Sequence, residues 1–368
     1  MPLDPSRNKC LPSRHTAHSV TGSFFIANGC HRHFSMKETA LIILAAFAFD
    51  LLTGDPVYRY HPVRIIGALI SFFEKHLRKA PWTEGKTGGI LLLCLMIFSV
   101  LTIFIGTDLL LNRICTMLSK ALEIFICYSL IAVKDLVNHI RPVAQAIKNG
   151  DIKKARHLVA MTVGRDVTQL DEKDIARAAI ETLAENFVDG FLSPLFWYVS
   201  GAVIGYMYSF SPSLAAVSFM LIFKTVSTLD SMVGYRTEKY IRFGWASARM
   251  DDLLNFIPAR ISIPVLFAGS AISGLNPTDG LKAAANDRLK HDSPNSAHSE
   301  SFFAGALHIR LGGPAMYGDN IKKRPWIAKE NPDPAYQDID KAIRLVLCAS
   351  CISILVAVFT TFLSGMTD

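Results

Sequence analysis

The stretch IARAAIETLAENFVDGFLSPLFW, residues 175–197, changes from an acidic helical pattern to an apolar pattern within one segment. Glu181, Glu185 and Asp189 are spaced four apart, and a helix with about 3.6 residues per turn places them on one face. The glycine and the proline that follow predict an interruption of the helix. Carboxylates at the entrance to a membrane segment require a cation, which a metal ion, an arginine or a lysine can supply.

The chain as a whole is more apolar than a soluble protein. Of its 368 residues, 51% are hydrophobic and 19% are charged, and average soluble domains carry more charge. Apolar runs occupy residues 88–111 and 343–365, and each reaches the ~20 residues that a bilayer-spanning helix needs. These features predict an all-α fold: a polytopic helical integral membrane protein with helical and irregular polar loops.

The net charge of +7 is spread over the polar loops. This distribution is typical of the positive-inside rule, and it argues against a nucleic-acid partner, which would need a concentrated basic patch. Five of the seven cysteines lie in apolar runs, where cysteine behaves as a small hydrophobic residue, so the cysteines do not indicate a metal site.

The first 35 residues are polar and lack the apolar core of a signal peptide. Their composition predicts a disordered N-terminal extension, followed by a single membrane-embedded catalytic domain at residues 36–368. Crossing segments are predicted at residues 39–53, 89–111, 115–133, 191–226 (a hairpin) and 343–364. Residues 261–275 form a shorter apolar run with an internal proline and are predicted to be re-entrant.

With these crossings, four polar loops fall on the same side of the membrane. They are residues 54–88, 138–187, 227–256 and 276–342. Because they carry most of the lysines and arginines after residue 36, that side is predicted to be cytoplasmic.

Residues that suit magnesium and phosphate chemistry occur in four groups in or beside these loops. In ARMDDLLNFIPAR, residues 248–260, two adjacent aspartates and an asparagine lie between two arginines, a pattern typical of sites for magnesium and polyphosphate. The other groups are the acidic row with Asn186, the segment 224–240 around Asp230, and the segment 287–313 around His291 and Glu300. Each group also has a structural alternative, such as a solvated helix face, a helix N-cap at Asp230 or a structural histidine.

Two functions are compatible with this composition and spacing. One is a membrane enzyme that handles magnesium and phosphate at the cytoplasmic face. The other is a cation transporter whose carboxylates line a path, and such a protein places its charges in broken helices at mid-membrane. Here nearly all the acids lie in loops or at helix ends, which favours the enzyme.

Six blocks of sequence, in chain order, resemble the CobD/CbiB family. They are GDP…HPVR (54–64), VGRD (163–166), AENFVDG with SPLF (184–196), TLDSMVGY (228–235), FGWASARMDDLLNFIPAR (243–260) and HDSPN…E…AGAL…LGG (291–313). The resemblance implies an adenosylcobinamide-phosphate synthase of cobalamin biosynthesis, which uses ATP and magnesium to join adenosylcobyric acid to aminopropanol phosphate or aminopropanol. It also implies a multi-pass protein of the bacterial inner membrane with a cytoplasmic active site. Its expected partners are the corrinoid, the amino alcohol phosphate, the lipid bilayer, and either a second copy or other membrane enzymes of cobalamin assembly.

The resemblance and the residue chemistry together give each group a role as a hypothesis. The carboxylates expected to hold magnesium are Glu185, Asp189, Asp230, Asp251 and Asp252. The cations expected to contact phosphates are Arg165, Lys224, Arg236, Arg249 and Arg260. The side chains expected to orient substrates are Asn186, Asn255, Asn295 and Glu300, and either Glu300 or His291 would deprotonate the amine. The expected catalytic set is Glu185, Asp189, Asp252, Glu300 and His291.

One block departs from the family pattern. After SPN the family has a Gly-Trp pair, whereas this chain has Ser296, Ala297 and His298, so contacts with a flat corrinoid are expected to differ. Two alternatives therefore stay open beside the synthase. One is a non-catalytic homologue that serves signalling or assembly, and the other is a magnesium-dependent membrane phosphotransferase.

Overall fold

Helices make up most of the chain that the computed structural model describes, which is residues 36–54, 58–164, 166–291, 293–317 and 320–364. The helices are α1 (Met36–Thr53), α2 (Pro62–Leu77), α3 (Lys86–Ile114), α4 (Thr116–Leu130), α5 (Val133–Lys148), α6 (Ile152–Ala160), α7 (Glu172–Phe187), α8 (Ser193–Met207), α9 (Pro212–Val233), α10 (Trp245–Leu254), α11 (Phe256–Ile272), α12 (Pro277–Asp287), α13 (Ser296–Leu307) and α14 (Tyr336–Ser364). A 3₁₀ turn at Pro81–Thr83 and a π-helical turn at Val188–Leu192 complete them. The predicted extension, residues 1–35, lies outside the described residues.

Six helical stretches in the described ranges are long and apolar enough to cross a membrane. They are Lys86–Ile114, Thr116–Lys148, Glu172–Met207, Pro212–Val233, Trp245–Ile272 and Tyr336–Ser364. The prediction of a polytopic helical membrane protein is therefore confirmed. Helix α1, predicted to cross, is not among these six.

The apolar run at residues 261–275 belongs to a longer helical stretch than its sequence indicates. Helices α10 and α11 follow each other with only Asn255 between them, and together they span 28 residues. The premise that this run is too short to cross is therefore wrong, because the polar first half of the stretch is helical as well. A re-entrant path for residues 261–275 stays a prediction.

Small residues let the membrane helices approach one another closely. A Cβ atom on Gly201 of α8 would lie 2.6 Å from the carbonyl oxygen of Ala215 in α9, so only glycine fits there. On the other side, Gly269 of α11 lies against Ala349 of α14, with 3.1 Å between a built Cβ and the Ala349 backbone. These close backbone contacts fix α8 against α9 and α11 against α14.

The sequence predicts that the helix starting at Glu172 breaks at Gly190 and Pro194. The structure shows no such break. The helix continues from α7 into α8 through the π-helical turn, in which the N–H of Ser193 donates to the carbonyl oxygen of Val188, five residues earlier. Pro194 has no N–H to donate, and the wider turn accommodates its ring without ending the helix. The turn contains Asp189 and therefore sets the direction of that side chain.

Residues 276–342 contain two short antiparallel pairs of strands besides the predicted short helices. Strand β1 (Leu311–Gly312) pairs with β4 (Trp326–Ile327), and β2 (Ala315–Tyr317) pairs with β3 (Asn320–Lys322). Gly313 follows β1 with φ +83°, and a Cβ there would lie 2.6 Å from the Trp326 ring. The irregular structure predicted for this region therefore includes short strands that the sequence pattern did not reveal.

A group of charged residues fastens these strands to α7. The guanidinium groups of Arg177 and Arg310 lie over the Trp326 ring, at 4.7 and 4.5 Å from its centroid. Asp333 bridges them: it accepts two hydrogen bonds of 2.7 Å from Arg310 and pairs with Arg177. We call Arg177, Arg310, Trp326 and Asp333 the clasp, and it holds the 308–335 segment against α7.

Candidate active site at a cluster of carboxylates

Five predicted carboxylates converge where the π-helical turn meets α9 and α10. We call Glu185, Asp189, Asp230, Asp251 and Asp252 the acidic cluster. Asp189 interacts electrostatically with Asp251, Glu185 and Asp230 of the cluster. Asp230 interacts with Asp252 in turn. The fold therefore brings these carboxylates, which are far apart in sequence, into one region; their role as magnesium ligands stays a prediction.

Asn255 holds one side of the acidic cluster in place. Its side chain is buried, its oxygen accepts a 2.6 Å hydrogen bond from the Ser193 hydroxyl, and its nitrogen donates a 3.1 Å bond to Asp251 Oδ2. Asp251 lies one helical turn before Asn255, so their i,i+4 spacing places them in contact. Asn255 is expected to orient substrate, and its contact with Asp251 shows that it also orients this carboxylate.

The other oxygen of Asp251 points to a missing ligand. Asp251 Oδ1 is buried and has no hydrogen-bond partner among the described residues. A buried carboxylate oxygen without a partner is costly, and several like charges in one place are costlier still, unless a cation completes the site. The donor set thus has the chemistry that a magnesium ion prefers.

The geometry suits a metal that arrives with its substrate better than one held by protein alone. Within the described ranges, no group of three or more His, Cys, Asp or Glu side chains is arranged to hold a metal ion. Magnesium commonly keeps several waters and binds through one or two carboxylates together with substrate phosphates. A magnesium ion at this place would therefore need ligands beyond these side chains.

Three cationic side chains interact with the carboxylates of the cluster. Asp252 interacts with Arg249 and Arg236, and both arginines are exposed. Lys224 of α9 is half-buried and interacts with Asp189. These three predicted phosphate contacts therefore lie beside the carboxylates, whereas Arg165 falls outside the described residues.

A pocket of about 210 Å³ adjoins the cluster. Its lining residues are Thr162, Val163, Gly164, Ala178, Glu181, Thr182, Glu185, His291, Glu300 and Arg324. Glu185 belongs both to this pocket and to the acidic cluster, so the two spaces are continuous at that side chain. The two predicted bases, Glu300 and His291, lie in the pocket and not in the cluster.

The ring orientation of His291 bears on which residue acts as the base. The backbone N–H of Ser293 donates a 3.1 Å hydrogen bond to His291 Nδ1. A neutral ring that accepts at Nδ1 carries its proton on Nε2 and has no free lone pair. Of the two predicted bases, the geometry therefore favours Glu300, which is buried in the pocket wall.

Several predicted residues have contacts that define or limit their roles. Glu181 accepts a 2.7 Å hydrogen bond from the backbone N–H of Gly312, so it fastens β1 to α7. Asn186 donates to the carbonyl oxygen of Thr182 at 3.0 Å, which occupies its nitrogen within its own helix. Asn295 donates to the backbone carbonyl of Asp252 at 2.8 Å and thereby ties the loop before α13 to the cluster.

Arg324 is the residue that the sequence analysis missed. It lies between β3 and β4, lines the pocket, and is the cation that interacts with Glu185. In sequence it is one of several basic residues in an irregular loop, and only the strand pairing and the clasp bring it to α7. No local pattern could have indicated its place.

The departure at residues 296–298 falls in the first turn of α13. Ala297 and His298 are both buried there. Because neither presents a surface to the pocket, this turn offers no flat side chain on which a corrinoid could stack. Contacts with a ring system would have to come from other parts of the chain.

Comparison with known proteins gives the same family over most of the length. The sequence model of the family described as CobD/Cbib protein matches residues 43–346. The cobalamin biosynthesis protein CobD of Pelobacter propionicus is 42% identical over 289 residues, which is 78% of this chain and 84% of that protein. The CobD protein of Desulfotalea psychrophila is 37% identical over 339 residues, 90% of this chain and 100% of that protein. The cobalamin biosynthesis protein CbiB of Salmonella arizonae is 35% identical over 319 residues, 86% of this chain and 95% of that protein. No solved structure matches.

Proposed function

The chain belongs to the CobD/CbiB family, and we propose that it is the cobalamin biosynthesis enzyme that joins adenosylcobyric acid to aminopropanol phosphate, or to aminopropanol, in an ATP-dependent reaction. With the phosphorylated amine the product is adenosylcobinamide phosphate. The names of the relatives support a role in cobalamin biosynthesis. The reaction itself is proposed from the six sequence blocks and from the chemistry of the site.

The observation that carries the proposal is the acidic cluster, in which one buried oxygen of Asp251 lacks a partner among the described residues and the adjacent Asp252 interacts with two exposed arginines. A carboxylate is a poor electrophile, so amide formation needs its oxygen activated. In the proposed reaction the substrate carboxylate attacks the γ-phosphorus of ATP, the bond to ADP breaks, and an acyl phosphate forms. The amine then attacks the acyl carbon, inorganic phosphate leaves, and a base takes the proton from nitrogen. Such phosphoryl transfer depends mainly on positioning and charge neutralisation.

The residues in and beside the cluster would have different roles according to their positions. Asp189, Asp230 and Asp251 interact with one another electrostatically, and one or two of them would bind a magnesium ion that also has phosphate ligands. Magnesium bound there would neutralise charge on the nucleotide phosphates. Arg236 and Arg249 are exposed next to Asp252 and would bind the outer phosphate oxygens.

The pocket beside the cluster would receive the two groups that become the amide. Glu185 stands at the boundary between cluster and pocket, with Arg324 as its cationic neighbour. Arg324 would orient the substrate carboxylate toward the nucleotide, since a guanidinium matches a carboxylate in shape and charge. Glu300, on the pocket wall, would accept the amine proton.

The proposed location is the bacterial cytoplasmic membrane, with the site on the cytoplasmic side. The support is the charge of the polar segments that build the site: residues 227–256 and 276–342 carry many of the lysines and arginines. ATP and the corrinoid are water-soluble and would reach the site from that side. A second copy, or other membrane enzymes of cobalamin assembly, would be partners in the bilayer.

The purified full chain provides the test. It is incubated with adenosylcobyric acid, aminopropanol phosphate, ATP and magnesium, and the corrinoids are analysed by mass spectrometry. The expected product is adenosylcobinamide phosphate, formed only when ATP and magnesium are both present, with one ADP per amide. Transfer of a phospho group to a lipid carrier would indicate a phosphotransferase instead. An unchanged corrinoid and no ADP would indicate a non-catalytic homologue.

A further inference from the structure

Two arginines lie close enough to act on each other electrostatically beside the first turn of α13. Arg260 belongs to α11, and Arg288 directly follows the last residue of α12. Each guanidinium acts electrostatically on the other and on His298. Across the described ranges, neither arginine has a carboxylate within ion-pair distance. Adjacent cations of this kind repel each other unless an anion lies between them.

His298 presents a polar atom to the same place. The residue is only 2% exposed, and its Nδ1 atom has no hydrogen-bond partner among the residues described. Burial and the two arginines lower the pKa of His298, so the ring is neutral near pH 7. A neutral ring can carry its proton on Nδ1 and donate it to an anion.

The backbone of α13 adds further donors. Asn295 precedes this helix and makes no side-chain hydrogen bond to its first turn. The His298 N–H donates to the Asn295 carbonyl oxygen at 3.2 Å, so the first-turn donors without a partner among the described residues are the amides of Ser296 and Ala297. The helix dipole is positive at this end. Anions bind readily at such positions when side-chain donors are close by.

We propose that Arg260, Arg288, His298 Nδ1 and the backbone amides of Ser296 and Ala297 form a binding site for a phosphate group. A phosphate monoester offers oxygens to two guanidinium groups, an imidazole and backbone amides at once. The site is separate from the acidic cluster but adjoins it. Asn295 connects the two, because its oxygen lies 3.5 Å from Arg260 and its nitrogen donates to the Asp252 carbonyl.

Two substrates of the proposed reaction carry a phosphate that fits this site. One is the amino alcohol phosphate, whose amine would then extend toward the pocket, and the other is the terminal phosphate of ATP. The assignment of the phosphate to either substrate rests on the proposed function. The existence of an anion site does not, because it depends only on the groups described above.

Binding without turnover tests the site. Arg288 is exposed, so Arg288→Gln removes one guanidinium with little risk to folding. Lys282→Gln is the matched control, because Lys282 is an exposed cation on α12 that pairs with Asp279. The affinities of both variants and the wild-type chain are measured by calorimetry in detergent for inorganic phosphate, aminopropanol phosphate and ATP without magnesium.

We expect Arg288→Gln to weaken phosphate binding about tenfold, as the loss of one charge-assisted hydrogen bond implies. Arg288→Lys should recover part of the affinity, and Lys282→Gln should bind as the wild type does. A loss for aminopropanol phosphate alone assigns the site to the amine, and a loss for ATP alone assigns it to the nucleotide. Equal affinities of Arg288→Gln and wild type for all three compounds, or no binding by the wild type, would overturn the proposal.

The two experiments distinguish a failure of the proposed function from a failure of the anion site. If the wild type makes no adenosylcobinamide phosphate but Arg288→Gln loses phosphate affinity, the anion site stands and the reaction is wrong. If the wild type makes the product and Arg288→Gln binds all three compounds normally, the reaction stands and the anion site is wrong. His298→Gln gives a second check, with a weaker loss for the same compounds that Arg288→Gln affects.

Discussion

Replacing Asn255 with alanine tests whether this side chain holds the acidic cluster in its working arrangement. The substitution removes the acceptor of the Ser193 hydroxyl and the donor to Asp251 Oδ2. Ser193 and Asn255 are both buried, so water cannot readily replace what is lost. The carboxylate of Asp251, whose other oxygen already lacks a partner, would then lose its fixed direction.

The expected size follows from the two hydrogen bonds. A buried bond between neutral groups contributes about 1 kcal/mol, and a bond to a carboxylate contributes about 1.5–3 kcal/mol. Asn255→Ala should therefore lower the free energy of unfolding by about 3 kcal/mol. Proteins are typically stable by about 5–15 kcal/mol, so the variant should still fold and can be assayed.

Equilibrium unfolding in mixed micelles, followed by tryptophan fluorescence, gives the measurement. Trp197 is a local reporter because its Nε1 donates to the carbonyl oxygen of Leu254, next to the substituted residue. Asn286→Ala is the control, since Asn286 is an exposed asparagine on α12. If Asn255→Ala loses no more stability than Asn286→Ala, the contacts of Asn255 do not support the cluster and the reasoning fails.

Two further predictions concern the clasp and the glycines. The hydrogen bonds from Arg310, with the charge of Arg177, hold the pKa of Asp333 at about 2, below its ordinary 3.8; the resulting stability is present above pH ~4 and is lost as the pH falls toward 2. The full pKa shift corresponds to ~2.4 kcal/mol, and solvent screening reduces this contribution to ~1 kcal/mol. The free energy of unfolding of the wild type, measured from pH 5 to 2.5, should fall by this amount. In Asp333→Asn this part of the pH dependence should be absent. A Cβ on Gly190 would lie 3.9 Å from its nearest neighbour, whereas one on Gly244 would lie 1.8 Å from the Val233 carbonyl oxygen. The free energy of unfolding of Gly190→Ala should therefore lie within about 1 kcal/mol of the wild type. Gly244→Ala should lose most of its folded protein on gel filtration. The reverse order of the two variants would contradict the packing of α9 against residue 244.

Local patterns were enough to predict much of the fold. The apolar runs beginning at residues 88 and 343 belong to the spanning-length helices Lys86–Ile114 and Tyr336–Ser364, because burial in lipid requires a continuous apolar surface. The helix at residues 245–254 was harder to predict, since its polar composition resembles a loop. The π-helical turn at Val188–Leu192 could not be predicted either, because glycine and proline in sequence indicate a break.

The site was predictable where spacing alone places residues together. Asp251 and Asn255 are in contact because they are one turn apart at the end of α10, and the acidic row gave Glu185 and Asp189 because they are also four residues apart. Arg324 could not be found in this way. It reaches Glu185 only because the clasp and the β1–β4 pairing fold a long loop back onto α7.

The most direct test of the central claim compares Glu185→Gln and Asp252→Asn with the wild type in ATP-dependent amide formation. Each substitution keeps the shape of the side chain and removes one negative charge from the cluster that would hold magnesium and ATP. Glu172→Gln is the control, because Glu172 is an exposed acid at the start of the same α7. The account predicts that both cluster variants lose most of the product while Glu172→Gln keeps it. Wild-type rates in both cluster variants would contradict it.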